Sequence, residues 1–459
     1  MPAPDPGPLL ACPRCDQGLS ALAGGGWACG PCGTRFPLVG NIPALFADPA
    51  STLGEWRNRQ QFAVESHARE AVRLQAALSG TTLRPLARER LSLLQQAHAD
   101  QARRLQELLA PLGVEQRGGA AWATHLALRT RLPPDQGLTT YFANIHRDWC
   151  WGDPENAASC ELVAGALGGE APYPLLVLGA GAGRLAYDLH ARLAPVLTIA
   201  LDFNPLLLLA MSRIVAGEPV GLWEFPLAPR SLADQAVLRT LSAPAPAGPG
   251  LQLVLGDALR PPFRRASVGA VVTPWLVDIV GEDFQALAGR MNRLLPAGGR
   301  WVIFGSLAFG QADPTARYSL EEVLSLVMDA GFGEPEVRED ELPYLCSPAS
   351  RHARRETVVT IAATKAREVP APARHRALPD WLVTGTQPVP LLPSFQEQAL
   401  STRIYAFLMG LIDGRRSMKD MARLLVEQRL MTREDAEPAV RSFLLRMYDD
   451  AQRDGSGYR

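Results

Sequence analysis

The chain has 459 residues, 47% of them hydrophobic and 20% charged, enough for about three domains at roughly 150 residues each and for one large core. Its 46 lysines and arginines balance 47 acids for a formal net charge of −1, which excludes a global basic field for gathering nucleic acid or anionic membrane and leaves only a local patch open. The opening MPAPDPGPLLACPRC lacks a charged stretch followed by an apolar one, and no apolar run reaches the ~18 residues of a membrane span, so the expected setting is the cytoplasm.

Four of the seven cysteines stand in the first 32 residues. Cys12 and Cys15, then Cys29 and Cys32, form two CxxC knuckles separated by thirteen residues that include Gly24-Gly25-Gly26. In a reducing compartment this clustering points to metal rather than disulfides. A hairpin between the knuckles would gather four thiolates tetrahedrally around zinc, and four sulfurs leave no position for water, so the metal is expected to be structural. A redox dithiol is the alternative. The segment from Phe36 to Phe46, FPLVGNIPALF, resembles the tail of small zinc ribbons fused to or partnered with bacterial methyltransferases. Residues 1–47 are therefore expected to form a zinc ribbon.

From about Ser51 to Gln116 apolar residues recur at three and four, as at Leu91, Leu94, Leu105, Leu108 and Leu109, which predicts two or three amphipathic helices in a helical segment spanning 51–135. His67 and His98 read there as surface or packing residues. Tyr141 to Asn156, YFANIHRDWCWGDPEN, sets Arg147, Asp148, Trp149 and Trp151 before a Gly-Asp-Pro turn. Two readings stand: a helix end closed by an ion pair and buried tryptophans, or a lid whose arginine meets an anionic group.

Leu175 to Leu189, LLVLGAGAGRLAYDL, reads as strand, glycine turn and helix, with Gly179, Gly181 and Gly183 allowing close backbone approach to a nucleotide cofactor at a helix N-terminus. The next apolar strand, Pro195 to Asp202, ends in an acid placed to accept ribose hydroxyls. A dinucleotide fingerprint wants glycine at 184; the chain has Arg184, which suits S-adenosylmethionine, a donor with no phosphate to approach. Further strands are expected at Leu251 to Asp257 and Val268 to Val272, a helix at Phe284 to Leu295, and a strand at Trp301 to Phe304 after Pro296-Ala-Gly-Gly299. This alternation predicts an α/β, doubly wound, Rossmann-like sheet with ligands at the carboxyl ends of its strands. Ala366 to Ser394 is proline-rich and reads as a linker, and 395–459 as a small helical or winged-helix-like domain.

Taken in order, RDW at 147–149, LGAGAGRLAYDL at 178–189, LDFNPLLLLAMS at 201–212, GDA at 256–258, TPWLVD at 273–278, PAGGRWVIFG at 296–305 and YSLEEVLSLVMDAGF at 318–332 resemble the carnosine N-methyltransferase family over roughly residues 60 to 365. The resemblance implies a Rossmann-like methyltransferase domain over 136–365 that uses S-adenosylmethionine. It implies that Asn144 and Arg147 approach the methionine end, that Gly179, Gly181 and Gly183 lie under the donor, that Asp202 holds the ribose, Asp257 and Ala258 the adenine, and that Thr273 lines the cleft. Asp278 matches an acid that orients the acceptor nitrogen, and Tyr344 matches a family tyrosine, with a packing role equally open. The chain departs from the family on the acceptor side: Gly305-Ser-Leu-Ala-Phe-Gly310 lacks the family's histidine, and Arg354-Arg355-Glu356 replaces its tyrosine cluster. Carnosine is therefore not the expected acceptor.

The reading is an S-adenosylmethionine-dependent methyltransferase acting on a nitrogen of a small molecule, peptide or protein side chain. An RNA methyltransferase and a non-catalytic scaffold of the same fold are the alternatives. The C-terminal segment IDGRRSMKDMARLL resembles small peptide-binding modules of natural-product pathways, which implies a peptide or protein partner, and a helical packing or dimerisation domain is the other reading.

Overall fold

The computed structural model describes residues 6–80, 82–114, 142–169, 174–280, 283–310, 313–372 and 387–453. Two compact units divide it, Met1–Ala377 and Leu378–Arg459.

The first unit is built on a nine-stranded sheet. Its centre is formed by β6 (Leu175–Leu178), β7 (Thr198–Asp202), β10 (Leu251–Gly256), β11 (Ala270–Pro274) and β12 (Arg300–Gly305), all parallel. These strands are near-continuous apolar runs, and β6, β7 and β11 are buried along their whole length, as expected where both sheet faces are covered. At one side β14 (Arg354–Thr364) runs antiparallel to β12 and pairs in turn with β13 (Glu336–Tyr344). At the other, β5 (Ile42–Leu45) runs parallel to β10 and antiparallel to β4 (Leu38–Val39). The strand order is β13-β14-β12-β11-β6-β7-β10-β5-β4.

Alternation along the strands divides the core in two. Leu175, Val177, Ala200, Val272 and Val302 face the helices Asp153–Ala166, Arg184–Leu193 and Pro205–Val215, and beyond them α1 (Pro49–Gly80) and α2 (Pro85–Leu108). Leu176, Leu178, Ile199, Leu201, Val271 and Trp301 face the helices Phe284–Leu294 and Leu320–Asp329, the latter started by a Ser319–Glu322 capping box. The same second core contains Leu10, Cys12, Leu19, Cys29, Phe36 and Leu45. The cysteine-rich N-terminus, with its three-stranded sheet β1 (Ser20–Ala21), β2 (Trp27–Ala28) and β3 (Arg35–Phe36), thus shares the core of the large unit rather than standing apart as a bead of its own.

A hairpin of β8 (Val220–Glu224) and β9 (Val237–Leu241), which the sequence reading did not anticipate, is inserted between the helix Pro205–Val215 and β10. His67 and His98 face each other across α1 and α2, Nδ1 to Nδ1 at 2.8 Å, and both stack on Phe225 beyond β8, a packing role. The boundary expected at 135/136 and residues 373–386 of the proline-rich linker lie outside the described residues.

In the second unit the helices Pro393–Gly410, Met418–Glu427 and Arg433–Arg453 close a small core of Leu411, Met421, Leu425, Ala436 and Val440. No helix among the described residues is long and apolar enough to cross a membrane.

Candidate active site

Register places the candidate residues of the large sheet, Thr273 excepted, at the same edge. Gly179 follows β6, Asp202 ends β7, Asp257 follows β10, Trp275 and Asp278 follow β11, and Gly305 ends β12. Tyr344 ends β13 opposite Arg354, which opens β14. The chain passes from β6 to β7 on one side and crosses to β11 on the other, so the crevice of this edge opens where the strand order reverses.

The glycine turn at that crevice is held from both sides. Gly179, Gly181 and Gly183 have φ of 71°, 60° and 88°, the left-handed region that favours glycine. A Cβ at Gly183 would fall 1.9 Å from Met211 Sδ, so no side chain fits there; a Cβ at Gly181 would meet nothing within 4 Å, which leaves open space over the turn. The Gly181 N–H donates to Asp202 Oδ2 at 2.8 Å and the Asn204 N–H to Oδ1 at 2.9 Å. Each oxygen keeps a further lone pair for a ligand hydroxyl. Burial outweighs these bonds and pushes the Asp202 carboxyl up to about 6.

Above the turn, a short helix Phe142–His146 runs into a wide turn Arg147–Trp151 closed by a Gly152 N–H to Arg147 carbonyl bond of 2.9 Å. Such π-type turns are rare and frequent at functional sites. Trp149 Nε1 donates to the Ala182 carbonyl at 2.8 Å, and Arg184 Nη1 donates to the Asp148 carbonyl at 2.7 Å while its guanidinium pairs with Asp153 and Asp188. Residue 184, read from sequence only as a missing glycine, is therefore the clamp that fastens this segment to the glycine turn.

Arg147 is held within its own segment. Its guanidinium pairs with Asp148 at 2.6 Å and Glu155 at 2.9 Å, so two carboxylates already balance its charge. Burial raises the Glu155 carboxyl, Arg147 opposing it, and Glu155 Oε2 accepts the Leu345 N–H at 3.0 Å. The ion pair and the buried Trp149 match the helix-end reading of this segment. Tyr141 lies outside the described residues. The segment nevertheless leaves buried polar atoms without partners: Asn144 Oδ1 and Trp151 Nε1, and both ring nitrogens of His146, which form no hydrogen bond of normal geometry. His146 is kept neutral by burial, which pulls it down to about 4. Native structures rarely leave such atoms unpaired, and ordered water, an ion or a bound polar group completes them.

The neighbouring wall is aromatic and strained. Trp275 lies with its ring centroid 4.8 Å from that of Tyr344, and Arg354 covers the Tyr344 ring at 4.5 Å. Burial raises the Tyr344 hydroxyl, with Arg147 and Arg354 opposing it. Trp275, Leu307 and Leu345 have φ of 50°, 51° and 53°, a left-handed backbone that non-glycine residues adopt at a cost and that gathers at functional sites. Asp278 is buried and its Oδ2 accepts the Ala308 N–H at 2.7 Å, which ties the loop after β12 to the loop after β11. Asp257 Oδ1 accepts the Leu259 N–H at 2.8 Å, fixing the turn that presents Asp257 and Ala258.

Thr273 departs from expectation. It is fully buried, and its hydroxyl accepts from Trp301 Nε1 at 3.1 Å and lies 3.5 Å from the Val302 carbonyl, so its side chain belongs to the core on the Trp301 face and does not line the cleft. Alternation explains the misplacement: the next residues, Pro274 and Trp275, are the ones that reach the sheet edge. His146, Glu155, Arg184 and Trp275 were missed from sequence; only the density of chemical residue types in 144–156 hinted at the first two.

At the N-terminus the four cysteine sulfurs lie within 4.8 Å of one another, Cys12 to Cys32 at 3.6 Å and Cys15 to Cys29 at 3.3 Å.

No family model matches the chain, and no curated protein matches it in sequence. Among solved structures, an S-adenosylmethionine-dependent methyltransferase from Thermotoga maritima, described as a possible histamine N-methyltransferase, aligns with 50% of this chain and 96% of its own at 14% identity and a TM-score of 0.30. The 1,6-didemethyltoxoflavin-N1-methyltransferase of Burkholderia thailandensis, solved with 1,6-didemethyltoxoflavin and S-adenosylhomocysteine, aligns with 55% of this chain and 94% of its own at 14% identity and a TM-score of 0.31. At these values the likeness carries neither activity nor substrate to this chain.

Proposed function

We propose that the chain transfers a methyl group from S-adenosylmethionine to a nitrogen of a small molecule, peptide or protein side chain. The observation that carries this reading is the glycine turn at the crevice of the parallel sheet, with open space over Gly181 and the buried Asp202 bonded to its backbone. The donor, when bound, supplies an electrophilic methyl on a sulfonium. The protein's task is then to hold that group, exclude water and aim an acceptor.

The residues divide that task by position. Gly179, Gly181 and Gly183 bring backbone close to the donor, and ionised Asp202 accepts its ribose hydroxyls. Asp257 and Ala258, on the fixed turn after β10, border the adenine. Asn144, whose Oδ1 lacks a partner, fits a donor of hydrogen bonds such as the α-amino group at the methionine end. Arg147, neutralised by Asp148 and Glu155, shapes the turn that follows the helix of Asn144. Asp278 is a positioning residue that sets the loop around Ala308, and Tyr344 with Trp275 forms the acceptor wall.

Cys12, Cys15, Cys29 and Cys32 fit a structural zinc: a Zn–S length of ~2.3 Å in a tetrahedron sets sulfurs about 3.8 Å apart, close to the separations found. The cysteine pattern supports a reducing, cytoplasmic setting, and the C-terminal helices are proposed as the contact for a peptide or protein partner.

Calorimetry with S-adenosylmethionine and S-adenosylhomocysteine tests the reading. Saturable binding is expected; no measurable binding overturns it. Transfer of labelled methyl in a cell extract, followed by identification of the labelled species, then names the acceptor.

A further inference from the structure

The turn that presents Asp257 is held from outside the sheet by the cysteine-rich N-terminus, at two places. Upstream of the turn, β5 continues the sheet beyond β10, with Ala44 opposite Leu255 and Leu45 opposite Gly256, the residue before Asp257. Downstream, the residues just before Cys12 form an antiparallel ladder with 262–264: Leu10 pairs with Phe263, the Ala11 N–H donates to the Pro262 carbonyl at 2.9 Å, and the Arg264 N–H donates to the Leu9 carbonyl at 2.8 Å. Arg264 completes the second attachment. Its Nε donates to the Leu10 carbonyl at 3.1 Å, and its guanidinium lies so near Gly18 that a Cβ there would fall 2.6 Å from Nη2. Asp16, on the first knuckle, pairs with Arg293 at 3.4 Å. Leu10, Cys12, Cys29, Phe36 and Phe263 are buried in one core.

We propose that the metal-bound cysteine unit is a positioning element of the donor site, acting through β5 and Arg264 on the loop 257–264. The inference rests on the reading of Asp257 as part of that site. The knuckles share their buried core with the large sheet, and a bound metal would fix the four cysteines between the Leu9–Ala11 ladder and β5. Losing the metal frees the Leu9 and Leu10 carbonyls and the end of β5 together, and the loop between β10 and β11 then has its attachments on neither side.

The test uses the full chain. Zinc content is measured first, and hydrogen exchange by mass spectrometry is then compared before and after metal removal by a chelator. Faster exchange at 42–45 and 255–264, exceeding any rise in β12 and β14, is expected, together with a loss of S-adenosylhomocysteine affinity of about tenfold, the scale of a typical coupling between sites. Unchanged exchange at 255–264 in the metal-free chain overturns the proposal. Should metal removal unfold the whole unit, Arg264→Ala decides: with zinc retained and β12 and β14 still protected, it is expected to loosen 255–264 and weaken S-adenosylhomocysteine binding, and unchanged exchange and affinity overturn the proposal. A wild-type chain that binds no S-adenosylhomocysteine defeats the donor reading alone, since the exchange comparison still reports on the loop.

Discussion

Asp202 concentrates the chemistry of the donor site in one carboxyl. It is fully enclosed, bonded to two backbone N–H groups, and still raised to about 6 because burial opposes its charge more strongly than those bonds favour it. A ribose hydroxyl bonds best to the ionised form, so donor affinity is expected to rise as pH rises through about 6 and to level off above it. Asp202→Asn removes that dependence, and Asp202→Ala costs binding ~1.5–3 kcal/mol, the range of a hydrogen bond to a charged group. Titration of S-adenosylhomocysteine by calorimetry between pH 5 and pH 8 reads both effects; a wild-type affinity flat across that interval refutes the role. The folded state also holds this proton more tightly than the unfolded chain between the ordinary value of 3.8 and about 6. Through that window, this group's contribution to stability falls as pH rises.

The element fastened over the glycine turn is the Phe142–Trp151 segment, and its attachment depends on Arg184. That guanidinium bonds Asp188, Asp153 and the Asp148 carbonyl and lies over the Trp149 ring at 5.7 Å. Arg184→Met keeps the aliphatic stem and removes the clamp, leaving Asp188 half-enclosed without its cation. A loss of about 2 kcal/mol of stability is expected, with residues 142–151 exchanging amide hydrogen faster than the strands beneath them. Equal exchange in variant and wild type would show that Trp149 alone holds the segment. The sequence made the glycine turn, Asp202 and the cysteine quartet legible because each is a local pattern with a chemical reason. It hid what pairs across long separations. The hairpin β8–β9 is two five-residue strands, VGLWE and VLRTL, whose apolar runs are too short to show a period. The pairing of β5 with β10 joins strands some two hundred residues apart in the chain, and nothing in either says that they meet.

At the scale of the whole molecule, the cysteine unit behaves as the closing edge of the large sheet. Two short strands, β4 and β5, extend the sheet past β10, covering an edge that would otherwise present unpaired backbone groups to solvent. Cys12 and Cys29 lie in the same core as Leu176, Val271 and Trp301, so the metal's contribution to folding is felt by the strands beneath the donor site as well as by the knuckles. A bead joined by a flexible tether would melt by itself on chelation and leave the main transition where it was. A shared core predicts the opposite: metal removal should lower the midpoint of the large unit's transition by roughly 10 °C, because a ligand bound only by the folded state stabilises everything that unfolds with it. Differential scanning calorimetry of the full chain with and without chelator distinguishes the two, and a main transition that stays in place while a small early one appears would show that the interface between knuckles and sheet is too weak to couple them.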